Sequence, residues 1–236
     1  MDRREQLVVL RQANTTMKIP VYQIDAFTDK PFSGNPAAVC PLAEWIPESA
    51  MQAIASEMNL SETAFFVPRP GTAKRSEYDL RWFAPLLEVD LCGHVTLASG
   101  HLIFKHMQPE LEQVTFHTRS GPLGVSRRND LLELDFRAIA SLHQPWVVAT
   151  APADAEEYDF VSRFFAPMAG INEDPATGSA HTVLTPYWSA RLGKTHLVAR
   201  QISKRGGDFY CEMAGDRVKI TGHTVEVMTG MLDIQI

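Results

Sequence analysis

The sequence predicts an α+β protein of two similar lobes, each a β-sheet wrapped around a buried helix, and three observations carry the prediction. A strand, an acidic loop and an apolar helix occur twice: "YDLRWFAP", "LEVDLCGH" and "VTLASGHLIF" return as "YDFVSRFFAP", "INEDPATG" and "SAHTVLTPYW". Much of the remaining chain alternates apolar and polar residues between turn glycines and prolines, the pattern of half-buried strands. The helix of each repeat is mostly apolar, so neighbouring elements must cover it. A duplicated unit of this kind brings its two loops to the cleft between the lobes.

Taken in order, "IPVYQIDAF" (19–27) alternates as a strand. "FSGNPAAVC" turns at Gly34–Asn35–Pro36 and enters a second short apolar segment. Pro47 suits the first position of a helix, where its missing N–H costs nothing, and Met51, Ile54, Ala55 and Met58 follow at helical spacing. "TAFFVP" and "YDLRWFAP" are strands closed by proline, and "VTLASGHLIFKHM" is a helix. "LEQVTFHTRSGPLGVSRR" and "LLELDF" predict antiparallel strands, and "WVVATAPA" a strand of the buried type. After "EYDFVSRFFAP" a glycine-containing loop runs into the second apolar helix. The tail from Gln201 is strand-rich, with "GDRVKITG" and "HTVEVMTG" as hairpin material. We place an N-terminal lobe at 17–124 and a C-terminal lobe at 125–236, and allow the last strand to return to the first lobe. Residues 1–16 are expected to be a disordered or weakly helical extension, a mis-called start being the alternative; their "LVVL" is too short for a signal-peptide core or a membrane span.

The chain has 236 residues, 45% of them hydrophobic, enough for one large core or two small ones. Its net charge of −6 comes from interspersed acids and bases, which argues against nucleic acid as a partner. Three widely spaced cysteines (Cys40, Cys92, Cys211) include no CxxC pair, so neither a disulfide framework nor a zinc ribbon is expected, and a reducing, cytoplasmic setting fits.

Cys92, Gly93 and His94 stand together at the mouth of the first apolar helix. Neighbours at i and i+2 point in different directions, so a thiol–imidazole catalytic pair has poor geometry there. His94, His101 and His106 do not share a helix face and no HExxH occurs, so no metal is expected. A buried cysteine beside a capping histidine is the plain alternative. Both loops suit an anion better. Gly93 permits close approach of backbone, the first amides of a helix lack intrahelical partners, and Thr177, Gly178 and Ser179 offer the same at the second helix with hydroxyls added. Glu62 enters an apolar strand, where desolvation would raise its pKa toward that of a general base, or it caps a turn in solvent. Asp174 either moves a proton or caps the second helix.

Together "DAFTDKPFSGNPAAVC", "EMNLSETAFFV", "LRWFAPLLEVDLCGHVTLAS", "SRFFAPMAGINEDPATGSAHTVLTPYWSARLGK" and "QISKRGG" resemble the phenazine-biosynthesis PhzF-like family, which shares the diaminopimelate epimerase fold. The resemblance covers most of 18–140 and 147–222. It implies two pseudo-symmetric lobes, each a mixed or antiparallel sheet around a central helix, with the site between them. It implies a cofactor-independent isomerase acting on a small carboxylate-bearing molecule. Glu62 would be the proton-shuttling acid/base, with His94 and Asp174 as catalytic partners. Asn35, Gly93, Thr177, Gly178 and Ser179 would surround the substrate, and a homodimer is implied. A two-thiol racemase is excluded, because Asp174 stands where the related epimerases carry their second cysteine; Cys92 is then a packed relic. Family members are longer, and the shortfall falls near 137–146. That implies an incompletely covered second helix, and it raises the alternative of a catalytically impaired member that binds or dimerises.

Overall fold

A computed structural model describes residues 16–71, 76–137, 146–167 and 170–235. The expected extension, save Thr16, lies outside the described residues, as do residues 138–145 of the expected shortening near 137–146. The chain forms β1 (Thr16–Ala26), β2 (Asn35–Pro41), α1 (Glu48–Met58), β3 (Glu62–Pro68), β4 (Glu77–Phe83), β5 (Glu88–Val89) and α2 (Gly93–Leu102). A π turn, Ile103–Met107, continues α2 into β6 (Gln113–Thr118), β7 (Gly121–Arg128) and β8 (Leu131–Arg137). Then follow β9 (Val147–Pro152), β10 (Phe160–Ala166), β11 (Ile171–Asp174), α3 (His181–Leu192), β12 (His196–Gln201), β13 (Gly207–Ala214), β14 (Arg217–Gly222) and β15 (Thr224–Gln235).

The strands join in one path, β11-β10-β12-β13-β14-β8-β7-β6-β4-β3-β2-β1-β15, with β5 on β4 and β9 on β10. Helix α2 lies against β1, β2, β3, β7, β8 and β15, while α3 lies against β12, β13 and β14. Nine of the ten residues of α2 are buried, as a helix enclosed by a curving sheet requires. Helix α3 buries His181, Thr182, Leu184, Thr185 and Trp188 but leaves Tyr187 and Leu192 at 45% and 40% exposure. The expected boundary at 124/125 falls inside β7. The β7–β8 ribbon, not a linker, carries the sheet from β6 across to β14.

One apolar cluster runs through both halves, from Ile24, Val95 and Leu97 to Phe160, Trp188 and Phe209. A second lies beneath α1, where Met51, Ile54 and Ala55 meet Cys40, Phe65 and Phe83. Each fully buried large side chain there contributes about 1.5–3 kcal/mol. Helix α1 follows the predicted spacing, but Pro47 is its N-cap rather than its first residue, with its carbonyl accepting from Ala50 and Met51. Asn59, in the left-handed region at φ 50°, ends it.

Two predicted elements differ. "WVVATAPA" is not buried: β9 lies along one side of β10, β12 and β11 occupy the other, and Val147 is 60% exposed. An outermost strand has one open edge, which apolar content alone does not reveal. Of the hairpin material, "GDRVKITG" forms a hairpin with β13, Ala214 facing Arg217, while "HTVEVMTG" does not join it. β14 sits between β13 and β8, whereas β15 leaves it and pairs antiparallel with β1 over eleven registered positions, from Thr16↔Gln235 to Ala26↔Thr224. The last strand thus closes the first half of the chain.

Candidate active site

The site gathers where strand and helix ends converge. Asn35 opens β2 and Glu62 opens β3; because these strands run parallel with Ala37 opposite Glu62, both side chains reach the same end of the sheet. Cys92, Gly93 and His94 form the start of α2. Asp174 ends β11, and the turn through Thr177, Gly178 and Ser179 leads into α3.

The two helix entrances touch. A methyl group at Gly93 would lie 3.1 Å from Gly178 Cα and 3.1 Å from Ser179 N. Glycine favours this approach, since a side chain would press on backbone that must give by a few tenths of an ångström. Asn35 ties the halves together, its amide donating to Asp174 Oδ1 at 2.9 Å and to the Ala176 carbonyl at 2.9 Å. Thr177 Oγ1 donates to Asp174 Oδ2. Gln201 completes the loop: Thr177 N donates to its Oε1 at 2.8 Å, and its Nε2 donates to the Asp174 carbonyl at 2.6 Å. Around this contact Phe27, at φ 61°, packs its ring 4.2 Å from that of Phe209 and against Gly178.

A cavity of about 30 Å³ opens here. Glu62, His94, Asp174 and Thr177 supply its polar side; Leu91, Trp146, Phe164 and Ile171 supply an apolar wall, with Trp146 edge-on to Phe164 at 5.4 Å. Among the described residues, no lysine or arginine lines it. Glu62 does not cap a turn in solvent. Burial, reinforced by the Asp174 carboxyl, pushes its pKa up to about 8. His94 is buried and neutral, its pKa pushed down to about 4 by desolvation, and its Nε2 lies 3.5 Å from Glu62 Oε2. A buried acid and a buried base thus face each other with shifts of opposite sign, which keeps both uncharged near neutral pH.

The structure brings together the residues that the resemblance implied for the site. Glu62, His94, Asp174, Gly93, Thr177, Gly178 and Ser179 all line the cavity, and Asn35 stands behind Asp174. Asp174 takes donors from Asn35 and Thr177 and makes no helix cap. The Cys92–His94 geometry is better than the i, i+2 spacing suggested. Cys92 is the N-cap of α2, extended at φ −142° and ψ 118°, and its Sγ lies 3.4 Å from His94 Nδ1. An extended residue ahead of a helix turns its side chain back over the first turn, a freedom that helical spacing does not describe. Cys92 is buried, as expected, but it also lines the cavity. Sequence reasoning missed Gln201 and the apolar wall. Gln201 stands in the quoted "QISKRGG" segment, yet nothing local marks a glutamine as a brace for a distant loop.

A sheet-enclosed helix meets a second helix end-on here, with a buried carboxyl–imidazole pair at the junction. The chain belongs to the phenazine biosynthesis-like protein family, PhzC-PhzF, whose model matches residues 24–145 and 126–230. It is 41% identical to an uncharacterized isomerase of Pseudomonas aeruginosa, over 92% of this chain and 100% of the relative. It is 37% identical to phenazine biosynthesis-like domain-containing protein 1 of Mus musculus, over 92% of this chain and 99% of that protein. The bacterial alignment spans 264 residues against the 236 of this chain, so the relative carries residues that this chain lacks. A PhzF-family crystal structure from Enterococcus faecalis superposes with a TM-score of 0.83 at 37% identity, covering 92% of this chain and 99% of that one. A hydroxyproline epimerase from Agrobacterium vitis shares the fold alone, with a TM-score of 0.63 at 11% identity.

Proposed function

We propose that the protein is a cofactor-independent isomerase that shifts a proton within a small carboxylate-bearing molecule, using Glu62 as acid and base. The observation that carries this is the buried Glu62–His94 pair facing Asp174 across the contact of Gly93 with Gly178. Such a carboxyl has the pKa of a group that both takes and returns a proton near neutrality. In the reaction a C–H bond of the substrate breaks as Glu62 gains the proton. The electron pair moves into the conjugated system, and Glu62 returns the proton to another carbon on the same face. The neutral imidazole of His94 donates a hydrogen bond to charge displaced onto the substrate, while Asn35 and Thr177 fix Asp174 opposite. The amides entering α2 and α3 supply the positive ends of two helices to the substrate carboxylate, where among the described residues no lysine or arginine lines the cavity. The isomerase names of full-length relatives agree with this reading.

The test is solvent exchange. Acidic enols and dienes incubated with the protein in deuterated water should gain deuterium at carbon. The rate should rise with pH and level off above about 8, as Glu62 loses its resting proton. Exchange that continues undiminished in Glu62→Gln would overturn the assignment.

A second reading has its own support. The cavity holds little more than one water, and the chain is shorter than its relatives. A member that binds or dimerises without turnover would show ligand-dependent melting with small carboxylates and no carbon exchange.

A further inference from the structure

We infer that a pocket of about 530 Å³ beside the catalytic cavity binds an oxyanion, a carboxylate or a phosphate, on Arg137 and Arg217, and that this anion is the far end of the substrate. The anion site is independent of the reaction; only its tie to the substrate rests on the isomerase reading proposed above. The cavity at Glu62, about 30 Å³, has room for about one water and not for a substrate. Pockets that enclose small molecules run to roughly 300–1,000 Å³, and the adjoining one falls in that range. Leu91 stands in both linings, so the two spaces share a wall. Leu91 lies just ahead of α2, and Thr182, also in the lining, belongs to the first turn of α3. The larger pocket therefore opens where both helices begin.

The charge around it specifies an anion. Arg137, the last residue of β8, lies directly opposite Arg217, the first residue of β14, in the antiparallel register. Like charges in that position destabilise a sheet, and an anion held between them removes the repulsion. Asp135 answers only one of the two. Its carboxylate accepts from Arg217 Nε at 2.9 Å, and its main-chain carbonyl accepts from the same guanidinium at 3.0 Å. Arg137 is exposed and has no side-chain partner among the described residues. Nor does any aspartate or glutamate line the pocket among those residues. Guanidinium forks match the planar oxygens of carboxylates and phosphates, and the positive ends of α2 and α3 add to the same field.

The rest of the lining describes the middle of the ligand. Leu91, Leu123 and Phe136 give the pocket an apolar side between the arginines and the catalytic cavity wall. The substrate class is accordingly a short dianion. One carboxylate lies at the helix entrances by Glu62, an apolar stretch follows Leu91, and a second anionic group meets Arg137 and Arg217.

The test is calorimetric titration of the full-length protein with the dicarboxylates from succinate to adipate, the monoacids of equal carbon number, and 3-phosphonopropionate. At least one dianion should bind ~10-fold or more tightly than its monoacid, the value of one charge-assisted hydrogen bond. The better of phosphonate and dicarboxylate identifies the far group. Arg137→Gln should erase the preference and leave the melt unchanged. Lys219→Gln, which removes a β14 cation outside the lining, should keep it, separating a site from a general field. Arg217→Lys keeps the charge but loses the fork, and should weaken the dianion several-fold. Equal affinity for dianions and monoacids, or a preference that survives in both arginine variants, would overturn the site. The tie to the reaction is read with glutaconate and crotonate in deuterated water. Glutaconate should exchange at carbon with the lower KM, and Arg137→Gln should raise that KM while sparing kcat. Equal KM values for the two acids would cut the tie. Dianion binding without any exchange would instead refute the isomerase reading and leave the anion site in place.

Discussion

Asn35 joins the two halves of the site, and its replacement by alanine gives the sharpest test of how they are held. The side chain is fully buried and donates to a carboxylate and to a carbonyl, each at 2.9 Å. A hydrogen bond to a charged group contributes roughly 1.5–3 kcal/mol and a neutral one about 1 kcal/mol, and both acceptors would be left buried. The expected loss is therefore about 3 kcal/mol. For a chain of this length each kcal/mol lowers the melting temperature by roughly 2–4 °C, so Asn35→Ala should melt about 10 °C below the native protein. Urea unfolding followed by two spectroscopic probes checks the free energy and the two-state assumption together. Asn35→Asp should be no better, because it sets a second carboxyl against Asp174. A loss below about 1 kcal/mol in Asn35→Ala would refute the claim that this amide braces the two loops.

Two further outcomes follow from the same geometry. Gly93→Ala should cost about 1–3 kcal/mol by forcing the helix entrances apart, and should abolish any stabilisation by small carboxylates; an unchanged melt would contradict the backbone contact at 3.1 Å. Stability should also depend on pH through Glu62. Its pKa is raised from 4.5 to about 8 on folding, so its contribution is complete below pH 4.5, declines as pH rises and is gone above about 8. The buried histidines His94, His101 and His181, lowered from 6.5 to about 4, act oppositely below pH 6.5. The clean window is therefore about pH 6.5–8, where urea midpoints should fall in the native protein and stay flatter in Glu62→Gln.

Element types were legible wherever local pattern and tertiary context agreed. The spacing of Met51, Ile54 and Ala55 gave α1 its buried stripe, and the alternation of 19–27 gave most of β1. Reading failed where the answer lay in a partner. "VVATAP" has the composition of an interior strand, but its place beside β10 leaves it at an edge. The sequence order of β14 and β15 invites a hairpin, but β15 finds its partner in β1, some two hundred residues earlier.

The site divides in the same way. Family resemblance placed Glu62, His94 and Asp174 by number, and the glycines of the two loops followed from the need for close backbone approach. Three things were decided only by folding. Cys92 and His94 meet because an extended N-cap redirects the thiol, and Gln201 braces Asp174 and Thr177 from the end of β12. Trp146, just ahead of β9, and Phe164, on β10, wall the cavity from segments that no local signal joins to Glu62. Residue types fix what chemistry is available, because acidity, softness and backbone freedom are properties of single residues. Burial and proximity belong to pairs far apart in the chain. They set the Glu62 pKa near 8 and assemble a carboxyl, an imidazole and a thiol in one small cavity.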